Sequence, residues 1–286
     1  MEAFLVNLLN GLSFGSVLFL LASGLSLIFG VMGVLNLAHG ALYMVGAYVG
    51  WSAAVQYGLN FWVAVFVGGL TAGLIGLLIE RGFLRHLHQQ VNEQALLTFG
   101  FVYILTNLCL WIWGPLSRAA FTAPALAGSF PVGSVVYPKA RALIIIVGIL
   151  LASFLWWLQN KTRFGAIIRA GMDDRELTMG LGVNLERVSI VMFFLGSFIA
   201  GGAGVIGAQL LGANLELSIN ILLLALVVIV LGGMGSVEGA LVGSMIIGLI
   251  DTFGKALFPE LAMFSIYLAM IVVLLVRPTG LMGREG

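Results

Sequence analysis

An all-α, polytopic bundle of about 8–10 membrane-spanning helices is encoded here, and three features of the sequence say so. Of 286 residues, 61% are hydrophobic and only 9% charged, against about 25% charged in a water-soluble domain. So little charge cannot coat a water-facing surface. No Asp, Glu, Lys or Arg occurs between Glu2 and Glu80, a tract with room for roughly three spans of about 20 residues each. Apolar runs then recur at span length, separated by glycine, proline or charge. Outer-membrane barrels carry short alternating strands instead. Residues 1–286 read as a single transmembrane domain with a charged inner loop at 161–187 and an outer loop at 115–139.

The first span runs from Phe4 to Phe29. No basic segment precedes it, Glu2 being the only early charge, so a cleaved signal peptide is not expected. Gly30 to Gly40, GVMGVLNLAHG, interrupts the apolar pattern with Gly, Asn and His. It reads as a turn or as a half-helix entering and leaving one face, which keeps the span count open. The second span covers Leu37 to Tyr57, and Leu59-Asn60 turns into the third, Phe61 to Ile79. ERGFLRHLHQQVNE (80–93) is polar and basic. Gln94 to Gly114 is the fourth span, its WIWG tip suited to the membrane interface. Pro115, Pro124, Pro131 and Pro138 forbid a continuous helix through the next stretch, which reads as extended. Arg141 to Gln159 is the fifth span and Val188 to Leu211 the sixth. Ile219 to Leu231 is the seventh, followed by the glycine turn GGMGSVEG (232–239). Ala240 to Phe258 and Leu261 to Val276 complete the set.

Basic residues fix the expected orientation. With the N-terminus outside, Arg81, Arg85, Lys161, Arg163, Arg169, Arg175, Arg187, Arg277 and Arg284 lie inside. Only Arg118, Lys139, Arg141 and Lys255 lie outside, as the positive-inside rule requires. The C-terminus is then cytoplasmic. A net charge of +1 offers no field for nucleic acid.

Enzyme chemistry finds no footing. None of the three lysines, Lys139, Lys161 and Lys255, closes a phosphate-binding GxxxxGK[ST] loop, so the chain is not expected to hydrolyse ATP itself. No cofactor or metal is expected. His86 and His88 read as solvated interface residues, and Cys109, the single cysteine, as a packing residue. The 39 glycines include Gly11/Gly15, Gly46/Gly50, Gly69/Gly73 and Gly239/Gly243, spacings that let membrane helices approach closely.

Polar residues inside apolar spans narrow the search. They are Asn7, Asn10, Asn36, His39, Asn107, Gln209, Asn214, Asn220 and Asp251. Asp251 either faces a wet interior or pairs near the outer interface with Lys255 one turn later; the pair is the preferred reading, because a lone carboxylate in hydrocarbon costs about 2.5–3.5 kcal/mol. Asn36 and His39, with Gly33 and Gly40, sit where a span is interrupted. Irregular backbone at membrane depth is tolerated where it lines a cavity, which makes these four candidates for a substrate pathway. A path so poor in charge suits a small apolar solute and offers no evident proton or sodium relay. Energy should therefore enter from elsewhere.

The charged loop is where it can enter. Of 13 Lys+Arg and 12 Asp+Glu, it holds Lys161, Arg163, Arg169, Asp173, Asp174, Arg175, Glu176, Glu186 and Arg187. RELTMGLGV reads as a short helix bounded by Gly171 and by Gly180 and Gly182, with Asp173 and Asp174 in its first turn opposing the helix dipole. Arg169, Asp173, Asp174, Arg175, Glu176 and Gly180 are the candidates for a lever docked into a partner. A weak echo also links GVMG (30–33) before HGALYMVG with GGMG (232–235) before EGALVG, as in transporters built from repeated halves.

NLAHGALYMVGAY (36–48), TRFGAIIRAGMDDRELTMGLGVN (162–184), LGGMGSVEGALVG (231–243) and RPTGLMG (277–283) together resemble the permeases of high-affinity branched-chain amino acid ABC transporters, of the LivH type. The match in order and spacing covers the whole chain. The resemblance implies an ABC importer permease fold in the bacterial inner membrane, paired with a LivM-type permease. Two cytoplasmic ATP-binding subunits would drive it and a periplasmic substrate-binding protein would supply it. It implies that 162–184 is the coupling helix and that the substrate is leucine, isoleucine or valine. Related permeases carry urea, short amides or aromatic acids on the same scaffold. An ion-coupled carrier acting alone and a non-transporting membrane scaffold are the competing readings; few buried charges oppose the first, the interrupted spans the second.

Overall fold

The computed structural model of the chain describes residues 2–33, 35–87 and 90–283; the side chains of Val31, Met32, Met172, Arg175, Glu176 and Met263 lie outside that description. His88 and Arg284 also fall outside it. The helices are α1 (Glu2–Met32), α2 (His39–Trp51), α3 (Phe61–Gly82), α4 (Val91–Trp113), α5 (Lys139–Lys161), α6 (Arg163–Asp173), α7 (Arg175–Gly180), α8 (Leu185–Leu211), α9 (Leu217–Gly232), α10 (Val237–Leu257) and α11 (Ala262–Val276). Every expected span contains a helix whose bounds differ by a few residues; the largest difference is the second span, expected over Leu37 to Tyr57, where the α-helix covers only His39–Trp51. Among the described residues six are long and apolar enough to cross a membrane: α1, α3, α4, α5, α8 and α10. Helices α2, α9 and α11 are shorter, and α2 continues into one π-helical stretch, Ser52–Gln56.

The bundle is centred on α1, α2 and α8, with α3 and α10 against them. Phe19, Leu21, Leu42, Tyr43, Met44, Met192 and Val205 fill its interior. Helices α4, α5 and α11 lie outside and turn residues such as Leu96, Trp111, Ile149, Phe154 and Leu275 outward, as a lipid-facing or partner-facing layer does. Small residues set the contacts. A Cβ on Gly15 would stand 2.8 Å from Ser244 O on α10, one on Gly69 3.0 Å from Phe198 O on α8, and one on Gly243 2.7 Å from Val228 O on α9. Gly46 meets the backbone of Gly201 more closely still. Each of the four glycine pairs picked out by spacing therefore sets at least one glycine against a neighbouring helix backbone, while Gly50 and Gly73 receive the Val205 and Phe194 side chains; such close approach is how membrane helices gain packing without a hydrophobic drive between them.

The ends of the bundle differ in character. At one end Arg141 donates to Asn10 Oδ1, Tyr137 donates to Leu9 O at 2.9 Å, Phe4 packs on Phe253, and Lys255 pairs with Asp251 at 2.7 Å. The preferred reading of Asp251 is thus the one formed. At the other end Arg85, on the short 3₁₀ turn Leu84–Leu87, pairs with Glu186 at 2.7 Å. There the tail folds back so that Leu281 and Met282 N–H groups donate to Leu231 and Gly232 O at 2.9 Å each. The RPTGLMG and GGMG motifs are in this way one structural unit.

Two loops depart from the expectation. The loop at 115–139 contains an antiparallel hairpin, Ser129–Val132 with Val135–Pro138. Its two-residue turn needs a left-handed first position, supplied by Gly133 at φ +61°; prolines that forbid a helix still fit short edge strands. In the loop at 161–187 the expected single helix around RELTMGLGV is two helices, α6 and α7, broken at Asp174 (φ −151°, ψ 106°). Asp173 ends α6 and Asp174 caps α7, so the two carboxylates do not share a first turn. An aspartate can serve as a side-chain cap only by leaving the helical conformation itself, and that competition decided the break.

Candidate functional site

The loop at 161–187 is assembled by side-chain caps and one apolar face. Thr162 Oγ1 accepts from Gly165 N at 3.1 Å and starts α6. Phe164, Ile167 and Ile168 turn inward against the bundle, while Arg163 and Ala166 face solvent. Arg169 donates to the carbonyl of Gln159 at the end of α5, a charge-assisted bond that ties α6 back to the membrane helix. Asp174 Oδ1 accepts from Leu177 N at 2.9 Å and Thr178, which is buried, donates to Asp174 O at 2.7 Å. Asn184 Oδ1 accepts from Arg187 N at 3.0 Å and starts α8.

Among the described side chains of α7 and its C-cap, the exposed ones are apolar. Leu177, Met179 and Leu181 are 66%, 46% and 76% exposed. Exposed apolar side chains grouped on a short capped helix form a surface that gains by being covered. The charged residues expected as the lever do not make up this surface; Leu177 and Leu181, four residues apart and so on one face of a turn, are the sequence signal that points to it. Gly180 is exposed beside them, and the backbones of Arg175 and Glu176 form the first turn. Arg169 and Asp173 instead line a cleft of about 460 Å³ with Met234, Ser236, Glu238 and Met282. The structure therefore splits the expected lever residues between a cleft and a projecting turn. It also adds the glycine turn and the tail to the cleft, which no single segment announces.

The second candidate region is the junction of α1 and α2. Gly33 ends α1 with φ +68°, and the chain from Leu35 to Ala38 is non-helical. His39 Nε2 lies 3.1 Å from Leu21 O, and at 1.5 Å rise per residue Leu21 stands about 16 Å from the end of α1. The chain thus climbs back into the bundle before α2 begins. Asn36 and His39 are 2% and 0% exposed. Asn36 Oδ1 accepts from Ala38 N at 3.0 Å, and Leu37 N donates to Thr98 Oγ1 of α4 at 3.2 Å. Gly40 lets the carbonyl of Ser218, in the first turn of α9, approach its backbone. The starts of two short helices meet here inside the bundle. Asn36 Nδ2 and His39 Nδ1 are buried there without a partner. Of the four residues expected here, Asn36, His39 and Gly40 are brought together in the interior, whereas Gly33 is exposed at its edge.

Among the described residues no group of three or more His, Cys, Asp or Glu is placed to hold a metal ion. A family model described as "Branched-chain amino acid transport system / permease component" matches residues 7–274. The high-affinity branched-chain amino acid transport system permease protein LivH of Escherichia coli K12 is 32% identical over 98% of this chain and 96% of its own length. BraD of Pseudomonas aeruginosa, a permease protein of the same kind of system, is 30% identical over 98% and 96%. LivM of Escherichia coli K12 is 27% identical over 92% of this chain and 67% of its own. Among solved structures, PsaBC from Streptococcus pneumoniae in complex with Fab has a similar fold, with a TM-score of 0.52 at 14% identity over 93% of this chain and 89% of that one. With membrane-length helices, glycine-set contacts and a match of this extent, the chain is a multi-pass membrane protein and belongs to the branched-chain amino acid transport permease family.

Proposed function

We propose that the chain is the transmembrane subunit of an ABC importer that moves branched-chain or similarly apolar amino acids across the inner membrane. A LivM-type permease would complete the membrane portion, two cytoplasmic ATP-binding subunits would supply the work, and a periplasmic binding protein would deliver the substrate. The relatives named above are permease proteins of branched-chain amino acid systems, and the similarity to both LivH and LivM supports a paired permease. The end that carries Arg85, Arg169 and Arg277 faces the cytoplasm by the positive-inside rule, which leaves the N-terminus periplasmic. Catalysis belongs to the ATP-binding partners.

The observation that carries this reading is α7, a capped turn with Leu177, Met179 and Leu181 outward at the basic end. An ATPase docked there moves α7, and through Arg169 and Gln159 the motion reaches α5. Arg169, Asp173, Asp174, Arg175, Glu176 and Gly180 form the rest of the coupling surface. The α1–α2 junction, with Asn36, His39, Gly33 and Gly40, is the segment whose rearrangement opens a path, since the starts of two short helices meet there. The experiment is Leu177→Asp with Leu181→Asp in the reconstituted assembly. ATP-driven leucine uptake falls at least tenfold and the ATPases no longer co-purify, while the permease stays monodisperse. Unchanged uptake and co-purification would overturn the coupling role.

A further inference from the structure

A cavity at the opposite end of the bundle is not used by that reading. It has a volume of about 500 Å³ and lies where the end of α2 meets α3 and α4. Val49, Val67 and Ile112 give it an apolar wall, and Ser52, Gln56 and Arg118 give it polar groups. Arg118 is held firmly. Its guanidinium lies 5.0 Å over the Trp51 ring, Nη2 donates to Trp113 O at 2.6 Å, and its backbone exchanges two hydrogen bonds with Ala213, of 2.7 and 3.0 Å. Yet the charge is not answered. Nε is buried without a partner, Nη1 makes no bond among the described residues, and no described carboxylate pairs with it. An arginine fixed in a partly apolar site without a counter-anion is poised for one.

The backbone beside it is unusual in the same place. Ser52–Gln56 is π-helical, with Tyr57 N donating to Ser52 O at 3.0 Å. That geometry costs stability and recurs at functional sites. Trp113 Nε1 donates to Ser52 Oγ at 2.6 Å, which leaves the Ser52 hydroxyl hydrogen available to a ligand. The Tyr48 hydroxyl is buried close by without a partner, its ring 5.2 Å from that of Trp113.

We propose that this cavity receives a small apolar amino acid at the outer face. Arg118 binds its carboxylate, Ser52 and Gln56 supply further hydrogen bonds, and Val49, Val67 and Ile112 cover its side chain. The identity of the ligand rests on the importer reading; the presence of a carboxylate site does not. Arg118 also supports Trp113, so a second variant is needed that spares its contacts, and Ile112→Trp fills the apolar wall instead.

The test uses the permease–ATPase assembly, free of binding protein and nucleotide, in phosphatidylcholine nanodiscs. Radiolabelled L-leucine binds saturably, leucinamide competes at least tenfold less well, and both Arg118→Ala and Ile112→Trp weaken leucine binding at least tenfold. Equal competition by leucinamide, or wild-type binding in both variants, overturns the proposal. So does displacement by inorganic phosphate or phosphatidylglycerol in preference to leucine, which would make the cavity a headgroup seat. ATP-driven uptake, measured on the complete system, separates the two readings. Wild-type uptake with undiminished leucine binding in both variants sinks the cavity alone, whereas absent uptake by the wild type sinks the importer and leaves the binding result standing.

Discussion

The contact of α2 with α8 and the turn carrying α7 are built on opposite principles. In the first, Gly46 faces Gly201 and Gly204 faces Tyr43, with backbone against backbone and no side chain able to yield. In the second, α7 is short, capped by a single carboxylate, and leaves most of its described side chains in water. One region is specified by what is missing, a Cβ at each contact. The other is specified by a few hydrogen bonds and by apolar groups with nothing over them. Rigidity in the interior lets a push at the rim travel as a rigid-body motion, since packed helices do not absorb it.

The contrast breaks most severely at the interior. Gly46→Leu forces a side chain into the Gly201 backbone; overpacking costs about 1–3 kcal/mol where neighbours can shift, and more where they cannot. The expected outcome is loss of monodisperse protein in size-exclusion chromatography, and a near-normal melt would show that the helices slide apart easily.

A smaller effect is expected at the cap. Asp174→Ala removes the acceptor for Leu177 N and costs α7 about 1 kcal/mol. Amide exchange over 175–180 should rise several-fold while the melting temperature of the whole bundle stays put, and Asp174→Asn should restore protection. A fall in global stability instead would mean that α7 is part of the packed body and not a separate lever.

The smallest change belongs to the rim. Arg85 and Glu186 are 44% and 40% exposed, and pairs open to solvent to this degree contribute about 0.2–1 kcal/mol, less at high salt. Arg85→Ala should therefore lower stability only slightly, and 1 M salt should erase the difference. A larger, salt-resistant loss would assign this turn to the rigid interior.

Much of this was legible beforehand because span length and hydrophobicity are one-dimensional. The helices follow from apolar runs bounded by Glu80, Asn60, Gly114 and Pro259. The four glycine pairs were readable because a small-x3-small spacing puts both residues on one helix face. The junction was legible as an interruption, but not its depth: that Asn36 and His39 lie in the interior depends on Leu21, Thr98 and Ser218, which are remote in sequence. The break at Asp174 was missed because an aspartate favours a first turn and a cap alike. Arg118 passed as one more outer basic residue, since nothing near it in the chain names Trp51 or Ser52 as its neighbours.

The chain alone determined that this is a membrane bundle, which end is basic, and where its helices run, because each depends on local composition against a slab of fixed thickness. Tertiary structure decided that α2 and α9 begin inside the bundle, that the tail closes on the glycine turn, that α7 shows leucines to water, and that Arg118 sits unanswered over a cavity. These depend on which faces meet, and in a bilayer that is settled by close packing and hydrogen bonds between distant residues, not by the hydrophobicity of any one segment.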